Sequence, residues 1–124
     1  MLKLSRLRIF YILYILLIVF LSLTPAEHAV PVGPFDKLAH FAAYFGLGLL
    51  SCLFFIGKSS QVTASILCIV LGIMLEVGQG FVPGRFPSFY DGLSNTFGVL
   101  AGTLFFKLAG EIILTLLQHK KWRN

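Results

Sequence analysis

Polar side chains that could carry acid–base chemistry or bind a ligand recur at helical spacing in this apolar chain. Asp36, His40 and Tyr44 follow one another at intervals of four residues, so on a helix they would lie along one stripe. An imidazole beside a carboxylate can exchange protons near neutral pH, and it can equally be a hydrogen-bonded structural group. We therefore predict a polar, titratable stripe at one end of a helix.

Two later segments carry polar pairs of the same kind. Glu76 and Gln79 are three residues apart, and Asp91 and Asn95 are four apart, so each pair would share one face of a helix. A carboxylate at membrane depth is costly and is therefore usually paired or functional. We predict that Glu76 either works as an acid–base group or only locks the helices together through a pair.

Basic residues near these pairs are few. Arg85 stands in the loop between the second and third polar segments, where it could bind a phosphate or carboxylate of a ligand or pair with Glu76. His40 is the other candidate partner of Glu76, in a structural pair or in a catalytic acid–base pair. No catalytic role is assigned beyond these two candidates, Glu76 and His40. The ligand-binding candidates are Asp36, Lys37, His40, Tyr44, Glu76, Gln79, Arg85, Asp91 and Asn95.

Four of these candidates also have a purely structural explanation. Asp36 and Asp91 stand where helices are expected to begin, so each could be a helix N-cap. Gln79 and Asn95 are side chains of the kind that hydrogen-bond between membrane helices. The sequence alone leaves both explanations open.

The composition places these residues in a membrane. The chain has 124 residues, of which 57% are hydrophobic and only 12% charged, and its mean hydropathy is +0.89. Soluble domains carry about 25% charged residues, and a membrane-spanning helix needs about 20 apolar residues. We predict a single all-α membrane domain over residues 1–124, a bundle of about four transmembrane helices. Their expected ranges are about 7–23, 37–56, 62–81 and 91–109, with an amphipathic tail that could continue to 117.

The distribution of Lys and Arg predicts the orientation of this bundle. Only Lys37 and Arg85 fall on the side that holds the polar residues, and loops rich in Lys and Arg face the cytoplasm. Both termini are therefore predicted to be cytoplasmic, with the polar cluster facing outward. The first apolar segment could be a signal peptide, but it lacks a small-x-small cleavage site, which favours an uncleaved helix. The basic residues on the predicted cytoplasmic side are Lys3, Arg6, Arg8, Lys58, Lys120, Lys121 and Arg123.

Several other classes of function are disfavoured. The net charge of +5 does not indicate nucleic-acid binding, because the basic residues stand at helix ends and form no patch. Cys52 and Cys68 lie in apolar stretches, which predicts buried thiols without a disulfide. No CxxC pair or Cys/His cluster is present, so we expect neither a metal nor a cofactor. Gly98 and Gly102 form a small-xxx-small pair, typical of close helix packing within the bundle or between copies of the chain.

Taken in order, these residues resemble the VanZ-like family. The resemblance covers about residues 20 to 105 and implies a small multi-helix protein of the bacterial cytoplasmic membrane. The founding member of the family is associated with low-level resistance to teicoplanin, a lipoglycopeptide, so the resemblance implies an envelope context but no particular reaction. The residues that carry it are Ser22-Leu23-Thr24-Pro25, Asp36-Lys37-Leu38-Ala39-His40-Phe41 with Tyr44, Glu76 with Gln79, Pro83-Gly84-Arg85, Asp91 with Asn95, and Gly98 with Gly102.

Three functions from different classes follow as hypotheses. As a binding protein, the chain would hold a lipid-linked anion or a lipoglycopeptide at the outer face, with Arg85 and Lys37 binding the charge and contributing to teicoplanin resistance. As an intramembrane enzyme, it would modify a lipid headgroup through Glu76 and His40. As a structural scaffold, it would use its polar residues only to hold the bundle together. Membrane lipids are the expected partners in all three cases.

Overall fold

The computed structural model describes residues 4–29 and 33–121, and the side chains of residues 6–29 and 33–112. Within these ranges the chain is all-helical, which confirms the all-α part of the predicted fold class. The four α-helices run alternately up and down, so α1 and α3 end where α2 and α4 begin. Their bounds are α1 Leu4–Leu23, α2 Asp36–Phe54, α3 Lys58–Gln79 and α4 Phe89–Lys121, with short 3-10 turns at Ala26–His28 and Gly33–Phe35 between α1 and α2.

The last two helices are longer than the sequence predicts. α3 begins at Lys58 because Gly57 adopts a φ of 98°, a conformation open to glycine, which allows a very short turn after α2. α4 runs to Lys121 without a break, so the predicted tail to residue 117 is the continuation of the same helix. The side chains of that tail from residue 113 onward lie outside the described residues, as do Lys3 and Arg123.

Large apolar side chains cover the outside of the bundle. Phe20 is 68% exposed and Met74 is 65% exposed, and similar residues surround them on every helix. A surface of this kind requires lipid rather than water around it. Three helical stretches of the described chain are long and apolar enough to cross a membrane. The three stretches are Arg6–Leu23, Gly33–Phe54 and Lys58–Gln79.

The closest helix pair is α2 with α4, and two glycines of α4 allow it. A Cβ atom on Gly98 would lie 2.5 Å from the carbonyl oxygen of Phe41, and a Cβ on Gly102 would collide with the carbonyl oxygen of Phe45. Without side chains at these positions the two backbones approach directly, the usual way in which membrane helices pack. The predicted Gly98/Gly102 face is thus packed within the chain, and its use between copies stays a prediction.

α1 is the least buried helix among the described residues, and two of its tyrosines attach it to α2 by hydrogen bonds. The Tyr14 hydroxyl donates to the Ala43 carbonyl oxygen at 2.8 Å, and the Tyr11 hydroxyl lies 2.8 Å from Ser51 Oγ. Ser51 Oγ is in turn 3.2 Å from Cys68 Sγ on α3. These contacts join three helices in the middle of the bundle, where lipid offers no alternative partner.

The α2–α4 contact can be tested by adding one methyl group to α4. Gly102→Ala should lower the free energy of unfolding by about 1–3 kcal/mol, because the new Cβ meets the α2 backbone and the helices must move apart. Gly92→Ala is the matched control: nothing lies within 4 Å of its Cβ position, so the better helix propensity of alanine should leave stability equal or slightly higher. Unfolding in mixed detergent micelles measures both, and equal effects would contradict the close approach.

Candidate functional site

A cleft of about 300 Å³ opens at the end of the bundle where α1 and α3 end and α2 and α4 begin. It is the place where most of the predicted site residues meet, although they come from distant parts of the sequence. Small and apolar residues complete its wall. The polar wall residues are Asp36, His40, Gln79, Arg85 and Asp91, and the others are Ala26, Ala29, Gly84 and Phe86.

An ion-pair network joins the first turns of α2 and α4 beside this cleft. The Lys37 ammonium contacts Asp91 Oδ1 and lies 3.4 Å from Asp36 Oδ2. The Asp91 side chain is only 9% exposed, whereas Lys37 is half exposed. A buried carboxylate needs such a partner, and both acids also stand at the positive ends of helix dipoles. Lys37 therefore links the two helix starts electrostatically.

His40 faces the other oxygen of each carboxylate. Its Nε2 lies 3.9 Å from Asp36 Oδ1 and 3.9 Å from Asp91 Oδ2. Its Nδ1 lies 3.0 Å from the side-chain oxygen of Asn95 on α4. An amide oxygen can only accept, so Nδ1 carries the hydrogen and a neutral ring keeps its lone pair on Nε2, toward the acids. Asn95 is thus the hydrogen-bond partner of His40, one of the structural roles that the sequence leaves open.

Glu76 is buried, at 7% exposure, and holds the start of α4. Its Oε1 accepts a hydrogen bond of 2.6 Å from the main-chain N–H of Ser88, and Ser88 Oγ accepts from the N–H of Asp91 at 3.3 Å. Ser88 is therefore the N-cap of α4, and Glu76 supports it from α3. Within the described residues Glu76 pairs with neither Arg85 nor His40, so the two pairs that the sequence suggests are not formed.

Ser88 is a residue that sequence reasoning missed, although a signal was present. The spacing Ser88-x-x-Asp91 directly before an apolar helix is that of a capping box. In the usual box the acid would reach back to the N–H of the cap residue. Here Asp91 turns to Lys37 instead, and Glu76 of α3 supplies the acceptor from another helix. The cap residue was predictable from this spacing, but the helix that supplies the acceptor for its N–H was not.

Arg85 closes the end of α1. Its Nε donates to the Thr24 carbonyl oxygen at 2.9 Å, and its Nη2 donates to the Leu21 carbonyl oxygen at 2.9 Å. Gln79 adds a bond of 3.0 Å from its Nε2 to the Ser22 carbonyl oxygen. The last carbonyls of a helix have no partner within it, and a cation there also suits the helix dipole. Both residues line the cleft while fastening α1 to the α3–α4 connection.

Tyr44 lies deeper than the cleft and belongs to the core. Its ring is 2% exposed and packs against α3, where a Cβ on Gly72 would lie 2.9 Å from its Cε1 atom. Asn95 also borders this contact. Of the predicted candidates, Tyr44 and Asn95 therefore support the site from below, and the cleft itself is formed by others.

Comparison with known proteins agrees with this arrangement. The family model described as VanZ/LLP1 matches residues 8–110, most of the chain. The chain belongs to the VanZ/LLP1 family. The resemblance predicted from the ordered polar residues is thereby confirmed. No curated protein and no solved structure matches the chain. The VanZ/LLP1 match includes every polar residue of the cleft.

Two substitutions separate the hydrogen bond of Glu76 in this VanZ/LLP1 chain from its charge. Glu76→Ala should lower the free energy of unfolding by about 1–3 kcal/mol, because the buried N–H of Ser88 loses its acceptor. Glu76→Gln keeps an acceptor oxygen and should retain most of that stability. Detergent unfolding measures both, with Glu27→Ala as the control, since Glu27 is 77% exposed and its loss should have little effect. An equal loss in both Glu76 variants would show that its charge is required.

Proposed function

We propose that this protein binds the polar head of an anionic lipid-linked molecule, or of a lipoglycopeptide, at the outer face of the bacterial cytoplasmic membrane. The observation that carries the proposal is the cleft of about 300 Å³, which opens among charged residues at one end of an otherwise apolar bundle. Ligand pockets have volumes of about 300–1,000 Å³, so this cleft suits a headgroup better than a whole glycopeptide. The apolar helix faces would accommodate the lipid tail.

Arg85 supports the choice of an anionic ligand. A guanidinium has five N–H donors, and the hydrogen bonds to Leu21 and Thr24 use two of them, which leaves donors for a phosphate or carboxylate. No carboxylate pairs with Arg85 within the described part of the chain, whereas Lys37 is shared between Asp36 and Asp91. The N-termini of α2 and α4 also meet at this end, and their dipoles favour negative charge.

The geometry favours binding over catalysis by Glu76 and His40. The Glu76 carboxylate is engaged by the Ser88 N–H and does not line the cleft, so the acid–base pair of the enzyme hypothesis is not assembled. The scaffold hypothesis accounts for Glu76, Gln79 and Arg85 as helix-end partners. It does not account for His40, whose Nε2 faces two carboxylates beside an open cleft. A binding site supported by structural residues combines both sets of contacts.

The proposal includes a topology with four crossings and both termini in the cytoplasm. α4 packs along α2, which is itself long and apolar enough to span the membrane, so α4 would cross beside it. The tight turn at Gly57, with Lys58 after it, would then face the cytoplasm, and the cleft would face outward. The scarcity of basic residues at the cleft end supports this orientation.

Labelling of single cysteines tests the topology. In a background with Cys52→Ala and Cys68→Ala, Glu27→Cys should react with a membrane-impermeant maleimide added to intact cells, because Glu27 is exposed at the cleft end. Ser59→Cys, in the exposed first turn of α3, should react only after the membrane is opened. Reaction at Ser59→Cys alone in intact cells would reverse the orientation, and the purified background protein serves as the unlabelled control.

Teicoplanin susceptibility tests the functional role. In a sensitive host, wild type should reduce killing, and Arg85→Ala and Lys37→Ala should lose that protection at equal membrane abundance, since each removes a cation from the cleft end. Tyr14→Phe is the matched control, because it removes one hydrogen bond that attaches α1, to the Ala43 carbonyl oxygen, outside the cleft and without changing any charge. Loss of protection in Tyr14→Phe as well would assign the effect to the α1 attachment. Absence of protection by wild type would exclude a resistance role.

The ligand chemistry is measured separately with purified protein. A fluorescent alkyl phosphate should bind wild type and bind Arg85→Ala at least about tenfold more weakly, the loss expected when a charged hydrogen bond of about 1.5–3 kcal/mol is removed. An uncharged alkyl maltoside with the same tail is the control for tail binding alone. Equal affinity for the two amphiphiles would contradict an anion-binding cleft.

A further inference from the structure

We propose that Asp36, His40 and Asp91 form a binding site for a divalent transition-metal ion, with Zn²⁺ as the probe. These residues belong to two helices and offer one imidazole nitrogen and two carboxylate oxygens, all within 4.8 Å of one another. The sequence predicts no metal. Asp91 is far from Asp36 and His40 in the chain, so the three residues form no compact sequence motif. Only the pairing of α2 with α4 brings them together.

The three candidate ligand atoms are close enough together to bind one ion after small side-chain movements. Nε2 of His40 is 3.9 Å from each of the two facing oxygens, Asp36 Oδ1 and Asp91 Oδ2. An ion between three atoms so placed would lie about 2.5 Å from each, and Zn²⁺ takes nitrogen and oxygen ligands at about 2.0–2.2 Å. A contraction of a few tenths of an ångström, within the reach of side-chain rotation, would complete the bonds.

The hydrogen bond from His40 to Asn95 orients the imidazole ring so that Nε2 can bind a metal ion. Metal-binding histidines donate their second ring N–H to an oxygen acceptor, which fixes the tautomer and the ring orientation. Nδ1 of His40 is held in this way by the amide oxygen of Asn95 at 3.0 Å, and Asn95 is itself 3% exposed. The Nε2 lone pair is thus directed at two carboxylates, an arrangement that a cation between them would stabilise.

Asp91 gives a second indication through its burial. Its side chain is more than nine-tenths buried, and its Oδ2 faces Nε2 of His40 at 3.9 Å, beyond hydrogen-bond distance. Its Oδ1 contacts the Lys37 ammonium, so the two oxygens have different surroundings. A cation bound on the Oδ2 side would further balance the charge of this largely buried carboxylate.

Lys37 does not occupy the proposed position but acts on it. Its Nζ contacts the outer oxygens of the two acids, Asp36 Oδ2 and Asp91 Oδ1, and leaves the inner oxygens for the ion. Its positive charge must nonetheless weaken cation binding, since like charges at such distances repel. Removal of Lys37 should therefore raise the metal affinity, in the opposite direction to removal of any ligand.

The donor set indicates the class of metal and connects the site to the cleft. An imidazole with two carboxylates suits Zn²⁺ or Mn²⁺, whereas Ca²⁺ and Mg²⁺ prefer oxygen ligands alone. Three protein ligands leave a coordination position open, and all three residues line the cleft. This part rests on the proposed function: an oxygen of the anionic headgroup would take the open position while Arg85 binds another.

Metal binding is tested on the purified full-length chain, without a histidine tag and without any lipid ligand. After equilibration with Zn²⁺ and removal of the excess, elemental analysis should find about one Zn²⁺ per chain, and competition with a chromophoric chelator gives the affinity. Asp91→Asn and His40→Gln should each weaken it at least about tenfold, and Asn95→Ala should weaken it by roughly 10- to 100-fold as the orienting residue. Mg²⁺ at the same concentration should not compete.

Two control variants keep the result decisive. The pair Glu27→Gln with His28→Gln removes an exposed histidine–carboxylate contact of 3.2 Å outside the cleft and should bind Zn²⁺ as wild type does. Lys37→Met keeps all three ligands and should bind Zn²⁺ more tightly, which can be measured even if a ligand variant fails to fold. Wild type without bound Zn²⁺, loss of Zn²⁺ only in the Glu27/His28 variant, or no gain in Lys37→Met would overturn the proposal.

The metal site and the proposed function can fail separately. Zn²⁺ binding is measured in the absence of any amphiphile, and alkyl phosphate binding is then measured with and without Zn²⁺. Bound Zn²⁺ without alkyl phosphate binding would retain the metal site and reject the headgroup role. Alkyl phosphate binding by a chain that takes up no Zn²⁺ would retain the headgroup role and reject the metal site.

Discussion

The main-chain groups at the ends of a helix have no hydrogen-bond partner within that helix, and the polar end of this bundle is organised by that constraint. The last carbonyls of α1 receive hydrogen bonds from Arg85 and Gln79, and the first N–H before α4 is held by Glu76. The opposite end uses the same device once, where Gln61 donates to the carbonyl of Cys52 at 3.1 Å. Each bond joins one helix end to a different segment of the chain.

These cross-links divide the polar residues into two groups. Glu76 and Gln79 are committed to helix ends, and their polar atoms are largely buried. Asp36, His40 and Asp91 instead have atoms that lack hydrogen-bond donors and face the cleft. A protein that needed polar residues only for packing would require the first group alone. The second group gathers three titratable side chains beside an open cleft in addition to its contacts with Lys37 and Asn95, the pattern expected where function constrains the sequence.

Much of this architecture follows from the sequence. The intervals Asp36–His40 and Asp91–Asn95 are those of a helix, and the polar stripes do meet at one end of the bundle. Gly98 correctly indicated a close helix contact, that of α4 with α2, because a glycine at such a contact lets the two backbones approach. The helix ends were predicted less accurately. α3 begins earlier than expected because the positive φ of Gly57 shortens the preceding turn.

The choice of partners could not be predicted. The sequence shows that Glu76 needs a donor and that Arg85 needs an acceptor, and pairing them with each other is the simplest reading. In the structure both go to main-chain groups, because helix ends that are invisible in a residue pattern compete for the same side chains. Side-chain pairing in so small a bundle therefore depends on the three-dimensional register of four helices at once.

The sparse burial of α1 has a consequence for biogenesis. α1 is synthesised before the groups that hold it: Ala43 and Ser51 on α2, then Gln79 and Arg85 more than fifty residues downstream of their partners in α1. During synthesis α1 must therefore remain in the lipid without these hydrogen-bond partners until they have been made. Apolar side chains cover every face of α1 beyond Arg8, and its two arginines, Arg6 and Arg8, stand in the first turns of the helix, which permits this. The last hydrogen bonds of α1 therefore form only after the connection before α4 has been synthesised, because that connection carries Arg85.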